Sequence, residues 1–486
     1  MAFSRERILM SFFWKLFERL IVQVVQFIIT IVLARLLLPE EYGTIALIAI
    51  FIQLCDVIID GGLNTALVQK KDADNIDFST IFFFSLGLSG MMYGILFLGA
   101  NLIAFFYRQP NLVPIIRVLG LSLPFSAFNS IQRAYVSRNM LFQRLFYSSF
   151  GGVLFSGIIG IILALRGLGV WALVAQSVIN QVFTTVIMWF TVRWRPYFCF
   201  STNRLKVLFS YGWKILGANF ITTVFVNIRK LVIGKYFSAA SLAYYEKGDQ
   251  LPSLVMNNVF SSVQTILLPA FSDVQDDRLR VKKMMRRSTK LSCFFIYPLM
   301  AGMIVSAKPL VVLLLTEKWL SVVPFVQILC IANFFRPITL SNWEAIKALG
   351  YSDITLKLEI VKKIVDVLIL VVSVIFGVYA IAWGCVLFNF VCVFINLAPN
   401  KKLLDYGVKE QAKDALPTLL IALIMGGGIY GIQLLPIPNI MVLLLQVFFG
   451  VVLYAGLCLL FKEESMMYLL QVAKEHGFVV KHDKCR

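Results

Sequence analysis

The feature that most constrains this chain is a recurring run of roughly 20 apolar residues, the length that carries a helix across the hydrocarbon core of a bilayer. Hydrophobic residues make up 59% of the 486 residues and charged residues only 15%, a balance far from that of a soluble globular domain. Because backbone polar groups in lipid must be satisfied within the segment, we predict an all-α polytopic membrane protein with about 14 transmembrane helices. The predicted spans are 13–35, 42–61, 79–104, 112–132, 146–165, 169–190, 208–229, 248–270, 290–313, 324–340, 355–377, 379–397, 416–435 and 439–461.

Residue types that bind metals or haem are sparse in these spans. Both histidines, His476 and His482, fall near the C-terminus, and the eight cysteines are scattered with no C-x-x-C spacing. The N-terminal run is interrupted by Lys15, Glu18 and Arg19, so it indicates a retained first span and not a signal peptide. We therefore expect no cofactor, no metal site and no catalytic centre.

Lysine and arginine alternate strongly between the predicted loops. With the N-terminus inside, 29 of the 45 cations fall in cytoplasmic segments. The outside loops hold only Arg35, Arg108, Arg166, Lys235, Lys308 and Lys318. The positive-inside rule then predicts a multi-pass protein of a plasma membrane with both termini in the cytoplasm. The net charge of +19 reflects this topology and contact with anionic membrane lipids, and it does not indicate nucleic-acid binding.

Short phrases recur in order along the chain. The stretch "GVWALV" beginning at Gly169 resembles "GVYAIA" beginning at Gly377, and Trp14-Lys15 recurs as Trp213-Lys214. Since six spans separate the copies, the halves begin on the same side and form a parallel repeat, as in many transporters. We predict two six-helix lobes, 1–200 and 201–400, followed by two additional transmembrane helices (401–461) and a cytoplasmic tail (462–486).

Polar stripes follow equivalent helices of the two predicted lobes. The first span carries Lys15, Arg19, Gln23, Gln26 and Thr30 at spacings of three and four, and the seventh carries Asn219, Thr223, Asn227 and Lys230 in the same way. Uncharged members can serve interhelical hydrogen bonding. A charge facing lipid costs about 2.5–3.5 kcal/mol, so charged members favour water or a ligand. We predict a cationic cavity that binds substrate phosphate through Arg19, Arg117, Lys214, Lys230 and Arg336.

Acidic residues at comparable depth are fewer. Glu18, Asp56, Asp60 and Asp366 are candidates for ion coupling or for pairing with the cations, and Glu18 can pair locally with Lys15. If these acids paired with the five cations instead, the cationic cavity would not exist.

Several phrases then carry a family resemblance. They are "ARLLLPEEYGTIAL" from Ala34, "DGGLNTALVQ" from Asp60, "IGKYFSAASLAYY" from Ile233, "LLPAFSDVQDD" from Leu267 and "AIKALGYSD" from Ala345. Together they resemble the polysaccharide exporters of the MOP superfamily, most of all Wzx-type lipopolysaccharide and exopolysaccharide flippases of the colanic-acid exporter kind. The resemblance covers roughly residues 5–400. It departs at Arg229, near which many relatives carry an acidic residue.

The resemblance implies a monomeric alternating-access flippase of the bacterial inner membrane. Its substrate would be undecaprenyl-diphosphate-linked oligosaccharide for surface polysaccharide, and its partners membrane lipids and a polysaccharide polymerase or other assembly machinery. Two alternatives stay open: a cation-coupled multidrug exporter of the same superfamily, and a membrane glycosyltransferase or polymerase. Short predicted outside loops disfavour the enzyme, and a cationic cavity disfavours export of hydrophobic cations. A non-transporting assembly factor is also compatible with the sequence.

Overall fold

A computed structural model describes residues 5–475 of the chain, and within that range every regular element is a helix. The α-helices are α1 Arg5–Leu36, α2 Pro39–Asp60, α3 Leu63–Gln69, α4 Asn75–Tyr107, α5 Leu112–Gly120, α6 Ser122–Arg138, α7 Phe142–Leu165, α8 Val170–Thr191, α9 Thr202–Tyr236, α10 Ala239–Ser272, α11 Arg278–Leu315, α12 Val323–Asn333, α13 Arg336–Ala348, α14 Ser352–Ile375, α15 Val378–Leu404, α16 Val408–Tyr430, α17 Asn439–Leu460 and α18 Glu464–Glu475. Two short 3₁₀ helices, Glu317–Val322 and Gly431–Leu434, precede α12 and follow α16.

Twelve stretches of the described chain are long and apolar enough to cross a membrane. Each overlaps a predicted span. Predicted spans 248–270 and 355–377 correspond instead to α10 and α14, which are 34 and 24 residues long and are not among these twelve stretches. In α14 the reason is five ionisable residues between Lys357 and Asp366. The expected all-α polytopic membrane protein is confirmed.

Large apolar side chains cover much of the outer surface of the helices. On α4, the side chains of Leu98, Leu102 and Phe105 are 77%, 73% and 84% exposed. Leu444 and Phe448 of α17 are also largely exposed. Water would penalise contiguous exposed surface of this kind, whereas lipid tails solvate it. The distribution is that of a membrane-spanning bundle.

The repeated phrases occupy equivalent local structures. Gly169 and Gly377 each stand at the N-cap of a helix, α8 and α15, with φ of 54° and 103°, a region that favours glycine. In the other recurring pair, α1 ends one residue after Arg35 and α9 one residue after Lys235. These correspondences support the predicted repeat at the level of single helix ends.

Packing divides the chain into two compact units that meet within α10, one ending at Ala243 and the other beginning at Tyr244. In the first unit α7 packs on α1 and α8, while α9 packs on α2, α3 and α4. Its cores include a cluster around Phe82, Ile131 and Trp194 and another around Leu33 and Leu173. The predicted division into lobes 1–200 and 201–400 stays a prediction.

Glycines allow the α2 segment to approach α9 and the start of α10 closely. A Cβ on Gly43 would lie 1.8 Å from the carbonyl oxygen of Ala239, and one on Gly234 would lie 2.0 Å from a methyl group of Leu47. A Cβ on Gly62, just after α2, would lie 2.5 Å from the carbonyl oxygen of Gly212. Backbones in contact at such distances are typical of small-residue helix packing in membranes.

The second unit is organised around α11, which packs on α12, α13, α16 and α17. Phe271, Met285 and Tyr406 are fully buried in one of its cores. Asn342 of α13, Asn400 of α15 and Gln411 of α16 form a buried amide network, with Asn342 Nδ2 donating to Gln411 Oε1 at 2.7 Å and Asn400 Nδ2 to Asn342 Oδ1 at 2.7 Å. Such bonds tie helices together where the surrounding medium offers no hydrogen bonds.

Candidate functional site

A polar chamber of about 390 Å³ lies among α2, α3, α6 and α8 in the first unit. Apart from Ile59, all its lining side chains are polar or charged: Asp56, Asp60, Asn64, Ser126, Asn129, Ser130, Arg133 and Gln181. Polar groups inside transmembrane helices are costly, so a cluster that surrounds open space indicates a functional site. We call these residues the polar chamber.

A break in helix geometry shapes the chamber. Gly61 and Gly62 both adopt positive φ, 55° and 64°, which ends α2 at Asp60 and restarts the chain as α3 at Leu63. After this break Asn64 folds back so that its side-chain amide donates to the Asp60 carboxylate. Residues with a Cβ rarely adopt this conformation, so the two glycines position the acid end of α2.

The carboxylates of the chamber are only partly satisfied by hydrogen bonds. Asp60 Oδ1 accepts from Ser130 Oγ at 3.0 Å as well as from Asn64. Asp56 interacts with Ser126, but its Oδ1 atom is buried and accepts no hydrogen bond from the part of the chain that the structure describes. The buried Oδ1 atoms of Asn64 and Asn129 also lack a donor there. Open acceptors facing a polar cavity suit water, a cation or a proton.

One guanidinium balances the acids. Arg133 of α6 interacts electrostatically with Asp56, Asp60 and Glu18, and its side chain remains exposed to open space. Glu18 also lies 3.3 Å from Lys15 Nζ, the local pair expected from the sequence. Two carboxylates and one guanidinium line the chamber, so its formal charge is −1 when all three are ionised. The site can therefore take up one further positive charge.

Two of the four predicted acids, Asp56 and Asp60, thus share one chamber. The other two are Glu18, which acts on Arg133 from α1, and Asp366, which is buried in α14 of the second unit. The side chains that lower the energy of the ionised Asp56 and Asp60 are those of Ser126, Ser130, Asn64 and Arg133, which are not among the five predicted cations.

The five predicted cations occupy several places. In the first unit Arg19 of α1 and Lys214 of α9 are exposed, whereas Lys230 of α9 is half-buried. Lys214 and Lys230 are 16 residues apart, which separates them by roughly 24 Å along the helix axis. They therefore lie at different depths in the bilayer.

Arg117 and Arg336 are both placed against aromatic rings. In the first unit the Arg117 guanidinium lies 4.4 Å from the centre of the Phe97 ring, and its buried Nε atom donates to no acceptor among residues 5–475. In the second unit Arg336 lies 5.1 Å from the Phe260 ring, interacts with Asp249 and donates to Asn333 Oδ1 at 3.4 Å. A stacked guanidinium keeps the edge of its plane available for donation.

Sequence reasoning missed Arg133 because it assigned this residue to a cytoplasmic segment. In the structure α6 continues to Arg138, which places Arg133 inside a candidate span and beside the acids of α2. A signal was present: Ser126, Ser130 and Arg133 recur at spacings of four and three, as Asp56, Asp60 and Asn64 do at four and four. Two such stripes on neighbouring spans predict a shared polar face.

A contrasting charged site lies in the second unit around Asp414 of α16. Its carboxylate accepts from Arg286 Nε at 2.9 Å to each oxygen, from Tyr406 Oη at 2.7 Å, and lies 3.1 Å from Lys290 Nζ. Lys290 also pairs with Glu464. We call this set the Asp414 cluster; every oxygen of its central carboxylate has a partner.

No group of three or more potential metal ligands occurs within the described part of the chain. His476, His482 and Cys485 lie outside the described residues. The other seven cysteines are unpaired by disulfides.

The transmembrane helices and their exposed apolar surface define a polytopic membrane protein, and its first unit encloses a polar chamber. Its fold is similar to that of the lipid II flippase MurJ in an inward closed conformation, with a TM-score of 0.73 at 15% identity over 94% of this chain and 99% of that one. A multidrug resistance MATE family transporter of the MOP superfamily, inward-facing, gives 0.59 at 16% identity over 78% and 94%.

The family model described as polysaccharide biosynthesis protein matches residues 32–324, and the chain belongs to this family. It is similar to the succinoglycan biosynthesis transport protein ExoT of Rhizobium meliloti, at 23% identity over 92% of both chains. It is also similar to the teichuronic acid biosynthesis protein TuaB of Bacillus subtilis, at 23% over 69% of each, and to the lipopolysaccharide biosynthesis protein WzxC of Escherichia coli, at 23% over 68% of each. The predicted resemblance to proteins of bacterial polysaccharide biosynthesis and transport is confirmed by this match and by these relatives.

Proposed function

We propose that this protein is a flippase that moves undecaprenyl-diphosphate-linked oligosaccharide across the bacterial inner membrane for surface polysaccharide synthesis. The observation that carries the proposal is the joint occurrence of two features in one chain. The family match covers residues 32–324, and a fold similar to that of a lipid II flippase extends over 94% of the chain. The curated relatives whose names mention transport or polysaccharide biosynthesis support the same class of cargo.

In this proposal the predicted cations hold the diphosphate. Arg19 is exposed on the same face of α1 as Gln23, and Lys214 is exposed on α9. Arg117 carries a buried N–H without an acceptor in the described chain. Charge-assisted bonds from such groups to phosphate oxygens are short and roughly twice as strong as neutral ones. Because Lys214 and Lys230 lie at different depths, they would contact the diphosphate at successive stages of its passage. Arg336, in the second unit, is the fifth cation of the proposal.

The polar chamber has a different role in this mechanism. Its acids do not bind the anionic substrate, because their charge would repel a diphosphate. Instead Asp56 and Asp60, of whose two negative charges Arg133 balances only one, take up a cation or a proton, and its binding or release favours one conformation of the first unit. The chamber thus supplies the coupling site, while Glu18 and Asp366 serve charge pairing.

The proposed orientation places both termini in the cytoplasm and the chain in the inner membrane, as a monomer. Polymerase or other assembly machinery would act on the translocated glycan, and surrounding lipids would be its remaining partners. We expect no catalytic turnover, since the proposed cycle makes and breaks no covalent bond.

The experiment that tests the flippase proposal is a translocation assay in proteoliposomes. A fluorescent lipid-linked oligosaccharide is placed in one leaflet, and its appearance in the other is followed with an impermeant quencher. We expect wild-type protein to transfer it, and Arg117→Gln to slow transfer about tenfold or more, because one charge-assisted contact contributes about 1.5–3 kcal/mol.

The matched control is Arg166→Gln, which removes an exposed arginine at the end of α7. It should leave the rate within twofold of wild type. Equal loss in both variants, or no transfer by wild type, would defeat the proposal.

Export of hydrophobic cations is a second candidate, which the acidic balance of the polar chamber favours. The same proteoliposomes loaded with ethidium distinguish the two. We expect no ethidium transport above empty vesicles; transport of ethidium without transfer of the lipid-linked oligosaccharide would assign the chain to drug export.

A further inference from the structure

A second cavity, of about 720 Å³, lies between the first turns of α11 and helix α18 in the second unit. Five cations line it, Lys283, Arg286, Arg287, Lys290 and Lys474, against the single carboxylate of Glu464. We call it the interfacial pocket. None of its residues belongs to the predicted cationic cavity or to the polar chamber.

The ends of the helices place this pocket at a membrane boundary. Helix α11 has 38 residues and is therefore roughly 57 Å long, well beyond the ~30 Å of a hydrocarbon core. Seven cations between Arg278 and Lys290 crowd its first turns, which the sequence assigned to a loop but which continue the helix. Helix α18 begins four residues after the α17 span ends at Leu460. Both walls of the pocket therefore lie where headgroups meet the protein.

The start of α18 is held firmly in place. Glu463, which is buried, accepts from the backbone N–H of Met466 at 2.9 Å and from Ser465 Oγ and Thr418 Oγ1 at 3.1 and 3.2 Å. The carbonyl of Glu463 accepts from Met467 at 3.0 Å. These hydrogen bonds satisfy the first turn of α18 and join it to α16, so this wall of the pocket is held in a defined position.

The cations of the pocket divide into paired and available groups. Arg286 and Lys290 are engaged by Asp414, and Lys290 also by Glu464. Arg287 stacks with its guanidinium carbon 3.2 Å from the centre of the Tyr468 ring, which leaves its in-plane N–H groups directed outward. Lys283 and Lys474 make no ion pair with any side chain that the structure describes. At least three cations therefore line the pocket with no acceptor among the residues that the structure describes.

Apolar side chains line the interfacial pocket between its cations. Met467 and Leu470 on α18 are 46% and 40% exposed and line the same cavity as Leu291 of α11. A free phosphate ion gains no free energy from contact with such an apolar surface. The glycerol and first methylene groups of a lipid are stabilised by burial against it. Basic pockets beside spans at the membrane boundary are suited to anionic headgroups.

We propose that the interfacial pocket binds the phosphate of an anionic phospholipid headgroup. The phosphate lies between Lys283, Arg287 and Lys474, and the start of the acyl region lies on Met467 and Leu470. Binding fastens α18 to α11 and makes the stability of the second unit depend on the content of anionic lipid. This site is independent of the substrate proposed above.

The test uses the full chain in nanodiscs of phosphatidylcholine with or without phosphatidylglycerol. Thermal stability is measured together with the number of phosphatidylglycerol molecules retained in native mass spectrometry. The test variant is Lys283→Gln with Lys474→Gln, which leaves the Arg287 stack and the Asp414 cluster intact. The matched control is Arg278→Gln with Arg280→Gln, which removes two exposed cations from the same helix outside the pocket.

We expect phosphatidylglycerol to raise the melting temperature of wild type and control alike. The pocket variant should lose at least half of that rise and about tenfold in retention of the lipid. Equal loss in the control would show attraction to the net charge alone and would overturn the site. A rise produced in neutral nanodiscs by millimolar inorganic phosphate would overturn the lipid as ligand.

Discussion

Two carboxylates inside the helical bundle have opposite surroundings. Asp414 in the second unit receives Arg286, Lys290 and the Tyr406 hydroxyl within 3.1 Å. Asp56 in the first unit has one oxygen with no donor in the described chain and borders a cavity of about 390 Å³. A buried ionic group with every partner in place resists change, whereas an undersatisfied group beside open space can respond to what enters.

The difference assigns the two sites different roles. The Asp414 cluster joins α11, α16 and, through Lys290 and Glu464, α18. Tyr406 lies between two spans, and its burial together with its hydrogen bond to Asp414 raises the pKa of the hydroxyl, which therefore stays a donor across the physiological range. The Asp414 cluster thus stabilises the packing of these helices. The polar chamber is the site where we expect a cation or proton to bind and leave during transport.

The largest effect on stability should follow from Asp414→Asn. The substitution removes the charge that compensates Arg286 and Lys290, and breaking a buried ion pair costs about 3–5 kcal/mol. Since Arg286 is half-exposed, we expect the lower end of this range. A thermal-shift assay in detergent should show a clearly lower melting temperature. An unchanged melting temperature would remove the basis for calling the cluster structural.

A smaller and matched effect should follow from removing one hydroxyl donor at each site. Tyr406→Phe takes a 2.7 Å bond from the saturated carboxylate and should cost about 1.5 kcal/mol. Ser130→Ala takes a 3.0 Å bond from Asp60 and should cost only about 0.5 kcal/mol, since Asn64 still donates and water can enter. Melting temperatures of the two variants measure the contrast. A larger cost for Ser130→Ala would reverse the assignment of roles.

The spans were predictable because hydropathy over roughly 20 residues is a local property. Helices α10 and α14 were also anticipated, although α14 carries charges such as Lys362 and Asp366 within its apolar run. Local signals extended to the glycines at helix starts, Gly169 and Gly377. The local pattern does not show how far each helix extends beyond its apolar core. Arg133 and the cations from Arg278 to Lys290 were therefore assigned to loops.

The candidate site was predictable only in part, because it depends on which helices become neighbours. Asp56 and Asp60 were identified by their depth in an apolar run. Their partners Ser130 and Arg133 come from α6, about 70 residues later. Pairing across that distance follows from packing, and the sequence signals it only through the matching polar stripes of α2 and α6. The Gly61–Gly62 break that turns Asn64 back onto Asp60 is, by contrast, a local feature, and the Gly-Gly pair is a sequence signal for it.

The most direct measurement of the central claim compares two variants in the same proteoliposomes: Asp56→Asn with Asp60→Asn, and Asp414→Asn. Transfer of the lipid-linked oligosaccharide is normalised to folded protein and set beside the melting temperature. We predict that the chamber variant keeps its melting temperature within a few degrees and loses transfer at least tenfold. The Asp414 variant should lose stability while its folded fraction transfers at close to the wild-type rate. Full transfer by the chamber variant, or loss of stability and transfer in step in both, would contradict the account.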